Sequence, residues 1–274
     1  MRSARRAQRP PAVDEETQPS RAIPASPLGS RNVDLNASLP SSPPQTMFLT
    51  GAHMKFMDRA DAGRHLAARL GAYRKHPDVL VLALPRGGVP VAAEVAAALE
   101  VPLDVFLVRK LGVPGQQELA MGAVASGGVR ILNEEVIGYY GLSWPVIEEV
   151  TARERRELER REGRYRHGLE PIDPRGKIVL LVDDGLATGS SMLAAVEAVR
   201  RLGQATVVVA VPVAPPSTAR RLAGVADEVT CVATPEPFDA VGCFYENFTQ
   251  TTDDEVCAIL EAARATRLAP SAST

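Results

Sequence analysis

The 274-residue sequence is poor in several features that mark particular classes of protein. Its three cysteines, Cys231, Cys243 and Cys257, lie far apart and form no C-x-x-C pair. This spacing argues against a zinc knuckle and against a disulfide framework, and it suits a reducing cytoplasm. No apolar run approaches the roughly 20 residues that a membrane-spanning helix needs. The four histidines show no metal-ligand spacing.

An excess of charge of one sign is also missing. The 31 basic and 33 acidic residues leave a net charge of −2. A dedicated nucleic-acid binder is therefore not expected, because such proteins neutralise phosphates with a basic surface. Hydrophobic residues make up 45% of the chain and charged residues 23%. This composition is that of an ordinary globular protein with a buried core.

The beginning of the chain differs in composition from the rest. Residues 1–50 contain eight of the 22 prolines and show neither helical nor strand periodicity. Such a stretch buries too little apolar area to offset its chain entropy, so we predict a disordered extension over residues 1–53. A start codon assigned too early is the alternative. A folded domain is predicted over residues 54–267, with a flexible loop and helical insert over residues 111–170, and a disordered tail over residues 268–274.

Short apolar runs alternate with helical patterns from Asp58 onward. The runs predict strands at 79–84, 105–108, 178–182, 207–211 and 228–232, and the helical patterns predict helices at 58–70, 91–99, 144–166, 190–202, 217–222 and 254–264. The Gly-rich stretch from Leu111 to Val129 predicts a long mobile loop. Strands that alternate with helices imply an α/β fold with a mostly parallel, twisted sheet flanked by helices.

One segment concentrates residues that suit a phosphorylated sugar. The apolar strand Ile178–Val182 is followed by Asp183 and Asp184, then by a loop of small residues, and then by a helix. The N–H groups at the start of that helix suit a phosphate. Carboxylates beside the loop would repel a bare phosphate, but they suit sugar hydroxyls or a metal. The segment predicts a ligand with both a ribose and a terminal phosphate. The alternative is a turn in which one acid merely caps the helix.

Other phosphate-binding motifs do not fit this segment. A Walker A loop has four residues between its glycines and then Lys, whereas Gly185 and Gly189 are separated by three residues and no Lys follows. The G-x-G-x-x-G fingerprint of dinucleotide-binding proteins is absent, as is the G-x-S-x-G elbow of acyl-transfer hydrolases.

The run from Ile178 to Met192 resembles the phosphoribosyl-diphosphate (PRPP) binding motif of the type I phosphoribosyltransferases. In that family, apolar residues precede two acids and a small-residue T-G-S/T loop. The resemblance extends from about Met54 to Leu260, and it is similar in particular to a bacterial subgroup whose base substrate is not assigned. It implies that Asp183 and Asp184 hold the ribose 2′- and 3′-hydroxyls. The residues implied to bind PRPP are Asp183, Asp184, Gly185, Ala187, Thr188, Gly189, Ser190 and Ser191, with the loop from Ala187 to Ser191 on the 5-phosphate.

A second loop, Leu84–Pro90, also lies between a strand and a helix. Gly87 and Gly88 expose backbone N–H groups, and Arg86 offers a guanidinium fork to phosphate oxygens. Because the C-terminal ends of parallel strands face one crevice, this loop and the acid pair are expected to meet. The resemblance implies a pyrophosphate site made of Pro85, Arg86, Gly87, Gly88, Arg109 and Lys110. The alternatives are a simple turn with a surface arginine and, for Arg109 and Lys110, a solvated strand end.

The part of the protein that would read the base is less defined. The helix Trp144–Arg166 and the segment Pro235–Phe248 are candidates for the hood that covers the base in this family. Tyr245 and Phe248 could stack on a planar base or belong to the core. Glu118 is a candidate contact to the substrate or Mg²⁺, with a surface acid as the alternative.

The resemblance implies an enzyme of nucleotide metabolism that transfers 5-phosphoribosyl from PRPP to a nitrogenous base or amine and releases pyrophosphate. The implied catalytic residues are Arg86, Lys110, Asp183 and Asp184. Mg²⁺ is the implied cofactor, held mainly by substrate oxygens, with Asp183 and Asp184 as candidate protein ligands. A non-catalytic PRPP or nucleotide sensor and a phosphohydrolase that uses the same loop remain alternatives.

Expected partners are PRPP and a small acceptor, without nucleic acid or membrane. We also expect a homodimer and a cytoplasmic location.

Overall fold

The computed structural model describes residues 55–203 and 205–268. The helices are α1 Arg59–Arg69, α2 Gly88–Leu99, α3 Glu134–Tyr140, α4 Trp144–Arg166, α5 Ser190–Leu202, α6 Pro216–Ala223 and α7 Asp253–Leu268. The strands are β1 Val79–Ala83, β2 Leu103–Val105, β3 Val108–Val113, β4 Gln116–Ala125, β5 Val129–Leu132, β6 Ile178–Val182, β7 Thr206–Val213 and β8 Glu228–Ala233. Three short 3-10 turns accompany them, at Gly71–Tyr73, Ser126–Gly128 and Val241–Phe244.

The main sheet has five parallel strands in the order β2-β1-β6-β7-β8. The strands are continuous apolar runs because both faces of the sheet are covered. Within β1, Val81 belongs to the core on the side of α1 and α2, whereas Leu80 and Leu82 belong to the core on the side of α5. The α/β class with a parallel sheet flanked by helices is therefore confirmed.

The predicted loop from Leu111 to Val129 is wrong. The segment forms β3 and β4, which join β5 in a three-stranded antiparallel sheet. Gly122 is one of the glycines on which the loop was predicted, but it is needed for strand packing. A Cβ atom at this position would lie 2.3 Å from the carbonyl oxygen of Ile131 on the neighbouring strand.

The strand predicted at residues 105–108 is likewise divided between the two sheets. β2 ends at Val105 and β3 begins at Val108, which pairs with Ala125. Between them, the Leu107 N–H donates to the Ser126 side chain at 2.9 Å, and Leu107 O accepts from Ser126 N at 2.9 Å. The chain therefore leaves the parallel sheet here.

The other predicted elements agree with the structure to within a few residues, and α4 and α5 have the predicted bounds. Asp58 caps α1 by accepting from Asp61 N at 2.8 Å. The predicted extension over residues 1–53 lies outside the described residues, as do residues 269–274 of the predicted tail. Among the described helices, none is long and apolar enough to cross a membrane.

Candidate functional site

The two candidate loops meet at the C-terminal edge of the parallel sheet. β1 and β6 are neighbours with Ala83 opposite Val182, and Leu84 N donates to Val182 O at 2.8 Å. The loop that follows β1 therefore starts level with the acid pair that follows β6. A Cβ atom on Gly88 would lie 2.9 Å from the Asp183 Cα atom. The peptide bond between Pro85 and Arg86 in this loop is cis.

Each carboxylate of the acid pair uses one oxygen for a hydrogen bond inside the protein. Asp183 Oδ1 accepts from Asp184 N at 2.9 Å, and Asp184 Oδ2 accepts from Arg59 Nε at 2.8 Å. Within residues 55–203 and 205–268, no other residue donates a hydrogen bond to the second oxygen of either carboxylate. The pair can therefore accept hydrogen bonds from two hydroxyl groups, as a vicinal diol requires.

The protonation of the pair is perturbed by its surroundings. Burial, reinforced by the neighbouring Asp184 charge, raises the pKa of Asp183 well above its usual value. Burial also raises the pKa of Asp184, and the Arg59 guanidinium opposes that rise. Carboxyl groups whose pKa is raised in this way are common at functional sites.

The loop before α5 has its carbonyl groups tied to α6. The Thr218 hydroxyl donates to Ala187 O at 2.7 Å, and the Arg221 guanidinium donates to Thr188 O. In a trans peptide the N–H group points away from the C=O group, so the N–H groups that follow these carbonyls point away from α6. Gly189 has the left-handed conformation next to the helical α5 start, an arrangement that gathers N–H groups around an anion.

Hydroxyl groups complete this loop. Thr188 Oγ1 and Ser190 Oγ lie 3.1 Å apart, and their hydrogen bond is exposed to solvent. Gly185, by contrast, is buried, and a Cβ atom at this position would lie 2.6 Å from Val241 Cγ1. Gly185 therefore lets the chain turn tightly under the acid pair and offers no side chain to a ligand.

A cavity of about 960 Å³ opens between α5 and the antiparallel sheet. Its lining includes Ser190 and Ser191 at the start of α5 and Lys110 on β3. Successive side chains of a strand point to opposite faces, and Arg109 accordingly pairs with Glu154 of α4, with Arg109 Nε 2.7 Å from Glu154 Oε2. Lys110 thus lines the same cavity as Ser190 and Ser191, whereas Arg109 lies on the other face of the strand, against α4.

Arg86 lies beside the first residue of α7. Its Nη1 atom is 3.8 Å from Asp253 Oδ1, which also accepts a hydrogen bond from the Tyr165 hydroxyl at 2.6 Å. About one third of the Arg86 side chain is exposed. Because its ion pair is long, the guanidinium remains available to an anionic ligand.

The aromatic candidates have different surroundings. Tyr245 is buried between the rings of Phe56 and Phe248, and its hydroxyl donates to Asp184 O at 2.5 Å. It therefore belongs to the core and holds the backbone of the acid pair through this hydrogen bond. Phe248 is partly exposed, and the Arg59 guanidinium carbon lies 4.0 Å from its ring centroid. Glu118 belongs to β4, and its side chain lies outside the described part of the structure.

Arg59 is the residue of this site that sequence reasoning missed. It is the first residue of α1 and is nearly buried, yet it reaches Asp184, 125 positions further along the chain. A cation at a helix N-terminus is electrostatically unfavourable. This mismatch is the one sequence signal that Arg59 has another partner.

The donor atoms fit a magnesium ion that is held mainly by its substrate. Among the residues that the structure describes, no three or more His, Cys, Asp or Glu side chains form a group that could hold a metal. Mg²⁺ commonly uses one or two carboxylates together with substrate phosphates and water. The unengaged oxygens of Asp183 and Asp184 match that mode.

Comparisons with known proteins show which family the chain resembles. Residues 55–243 match the family profile described as "Phosphoribosyl transferase domain". Two curated proteins from strains of Mycobacterium tuberculosis, each named "Putative phosphoribosyl transferase", are 52% identical over 208 residues, which cover 76% of this chain and 47% of theirs. The chain thus spans about half the length of the curated relatives it matches. The crystal structure of TT1426 from Thermus thermophilus is 45% identical and covers 76% of this chain and 98% of that chain, with a TM-score of 0.68.

Proposed function

The chain belongs to the phosphoribosyl transferase domain family, and from this premise we propose that it transfers 5-phosphoribosyl from PRPP to a nitrogen acceptor and releases pyrophosphate. The single observation that carries the proposal is the juxtaposition of two loops. The acid pair that follows β6 lies against the glycines that follow β1. We therefore infer that a diol site and an anion site lie side by side, as a ribose that carries a pyrophosphate group at its anomeric carbon requires.

In this proposal Asp183 and Asp184 hold the ribose 2′- and 3′-hydroxyls through the oxygens that the protein leaves unengaged. The loop from Ala187 to Ser191 holds the 5-phosphate with its N–H groups and hydroxyls. The tie between this loop and α6 supports that role, since it orients the N–H groups before the ligand arrives. Preorganised donors lose little entropy on binding.

The pyrophosphate is assigned to the segment Pro85–Gly88 and to Lys110. Arg86 supplies a fork of N–H donors to the phosphate oxygens. Lys110 lies on the cavity that also exposes Ser190 and Ser191, so it adds a cation next to the phosphate loop. Arg109 is not part of this proposed site, because its guanidinium is engaged with Glu154 of α4.

The proposed reaction is a substitution at the anomeric carbon. The bond from this carbon to the pyrophosphate oxygen breaks, a bond to the acceptor nitrogen forms, and the nitrogen gives up a proton. Asp183 and Asp184 fix the ribose so that the anomeric carbon faces the acceptor. Arg86 and Lys110 stabilise the negative charge that develops on the leaving group. The described site uses no side-chain nucleophile for this step.

We propose Mg²⁺ as the cofactor, with Asp183 and Asp184 as its candidate protein ligands. When bound, the ion would neutralise charge on the pyrophosphate oxygens. We propose the acceptor only as a base or amine. The Tyr245 and Phe248 rings contact each other, and Phe248 also contacts the Arg59 guanidinium, so neither ring identifies a particular base. A homodimer and a cytoplasmic location remain part of the proposal.

The test is a pyrophosphate-release screen over purines, pyrimidines and small amines, with PRPP and Mg²⁺ present. Release that depends on one acceptor class supports the transferase. Calorimetry with PRPP and Mg²⁺ is run beside it, with the Asp183→Asn/Asp184→Asn double variant as the control that should not bind. Tight PRPP binding without release would favour the sensor, and absence of PRPP binding would reject the proposal.

A further inference from the structure

Arg59 makes three separate contacts, and only 8% of its surface is exposed to solvent. Its Nε donates to Asp184 Oδ2 at 2.8 Å, and its Nη1 donates to Thr249 O at 2.7 Å. The third contact is the Phe248 ring, which lies under the guanidinium with 4.0 Å between the guanidinium carbon and the ring centroid. Two hydrogen bonds and one stacked face fix the plane of the guanidinium.

A buried arginine contributes little net free energy to the stability of a fold. The desolvation of a buried ion pair largely cancels its attraction, so apolar residues of similar volume often serve as well. The three contacts are better explained by what they do to Asp184. They hold Oδ2 in place and leave Oδ1 without a partner among the described residues.

The Gly87 backbone lies close to the same oxygen. A Cβ atom on Gly87 would lie 2.0 Å from Asp184 Oδ2 and 3.2 Å from Arg59 Nε. The Gly87 backbone and the guanidinium therefore crowd Oδ2 from two adjacent sides and limit the positions that this oxygen can take.

The chain segment of residues 245–249 contacts both Arg59 and Asp184. It holds Arg59 through Thr249 O and holds the backbone of Asp184 through the Tyr245 hydroxyl at 2.5 Å. The segment is joined to the entry of α1 by the hydrogen bond from Glu246 N to Phe56 O at 2.8 Å. One segment thus sets the position of the arginine and of the acid together.

From this arrangement we propose that Arg59 is a positioning residue that fixes the Asp184 carboxylate so that Oδ1 accepts a ribose hydroxyl, with no contact of its own to the substrate. The inference rests on the proposed function, because it takes Asp184 as a ribose ligand. It goes beyond that function by assigning ribose recognition to a residue outside both loops.

The test uses two probes that need no metal, ribose 5-phosphate and inorganic phosphate, titrated into the full chain by calorimetry. Arg59→Gln should weaken ribose 5-phosphate binding about tenfold, the scale of one hydrogen bond to a charged group. Inorganic phosphate, which has no ribose hydroxyls, should bind as before to within about twofold. Arg59→Lys, which keeps the charge, should recover part of the lost affinity.

Arg64 supplies the matched control. It lies on the same helix, is exposed, and pairs only with Asp61 and Glu94 among the described residues. Arg64→Gln should change neither affinity. A double-mutant cycle covers the case in which Arg59→Gln does not fold. In the Asp184→Asn background, Arg59→Lys should have no further effect on ribose 5-phosphate, since the residue acts through that acid.

The outcomes separate this inference from the proposed function. Equal weakening of both probes, or unchanged ribose 5-phosphate binding in Arg59→Gln and Arg59→Lys, overturns the positioning role while the unsubstituted protein still binds ribose 5-phosphate. Additive effects in the double-mutant cycle overturn it as well. If the unsubstituted protein does not prefer ribose 5-phosphate to phosphate, the proposed function fails and the inference fails with it.

Discussion

Gly87 lies so close to Asp184 that a Cβ atom at residue 87 would come within 2.0 Å of the Asp184 Oδ2 atom. The two residues lie 97 positions apart in the sequence. The Asp184 carboxylate occupies the space that a side chain at residue 87 would need, so only glycine fits there. The contact joins the proposed pyrophosphate loop to the proposed ribose acid. A substitution on one loop is expected to disturb the ligand that the other loop binds.

We predict that Gly87→Ala weakens ribose 5-phosphate binding by about tenfold or more, because the added methyl group displaces the Asp184 carboxylate. Calorimetry measures this effect. Gly138→Ala is the control, since a Cβ atom at this position of α3 meets nothing within 4 Å. That variant should bind ribose 5-phosphate normally and gain about 0.5–1 kcal/mol in stability from its better helix propensity. Equal binding by the two variants would contradict the prediction.

Asp183→Asn should make the unliganded protein more stable at neutral pH. Burial raises the pKa of Asp183 in the folded state, so between the ordinary and the raised value the native state binds more protons than the unfolded state. Stability therefore falls as pH rises through this range, and asparagine avoids that loss. Thermal melts from pH 7 downwards should give a higher Tm for the variant at pH 7. The difference should disappear near the ordinary aspartate pKa of about 3.9. A lower Tm for the variant at pH 7 would count against the raised pKa.

Arg86→Ala should lower the affinity for inorganic pyrophosphate about tenfold or more and lower kcat/KM for PRPP about 100-fold, because a charged donor to the leaving group is lost. The Tm should hardly change, since the 3.8 Å ion pair with Asp253 is long and partly exposed. Arg74→Ala is the control, because Arg74 is exposed and pairs with Glu100. A large drop in Tm with unchanged pyrophosphate affinity would indicate a structural role for Arg86.

The buried pair of Asp104 and Arg166 should matter for stability. Asp104 accepts from Arg166 Nε at 3.2 Å and from Ile172 N at 3.1 Å, and both charged side chains are nearly inaccessible. Asp104→Ala removes this buried partner of the guanidinium, at a cost of about 3–5 kcal/mol in unfolding free energy.

Chemical denaturation measures this loss. Glu157→Ala, which removes exposed pairs with Arg160 and Arg161, should cost less than about 1 kcal/mol. Similar losses for the two variants would refute the prediction.

Lys110 and Arg109 illustrate where sequence reasoning stops. Both were expected at the end of a strand, near the pyrophosphate. They lie inside β3 instead, where neighbouring residues point to opposite faces, so that one lines the cavity and the other pairs with Glu154. Which of the two residues faces the cavity depends on which helix packs against each face of the strand, and only the tertiary structure shows this.

The amino-acid sequence alone determined the parallel sheet and the acid-loop-helix segment from Ile178 to Ser191, because their signals lie in contiguous residues. Apolar runs, two acids and a small-residue loop are read from neighbours along the chain. The tertiary structure alone decided that Arg59 holds Asp184, and that Tyr245 is a core residue whose hydroxyl donates to the Asp184 backbone. These contacts join residues 125 and 61 positions apart, and they exist only because helix and sheet packing brings distant segments together.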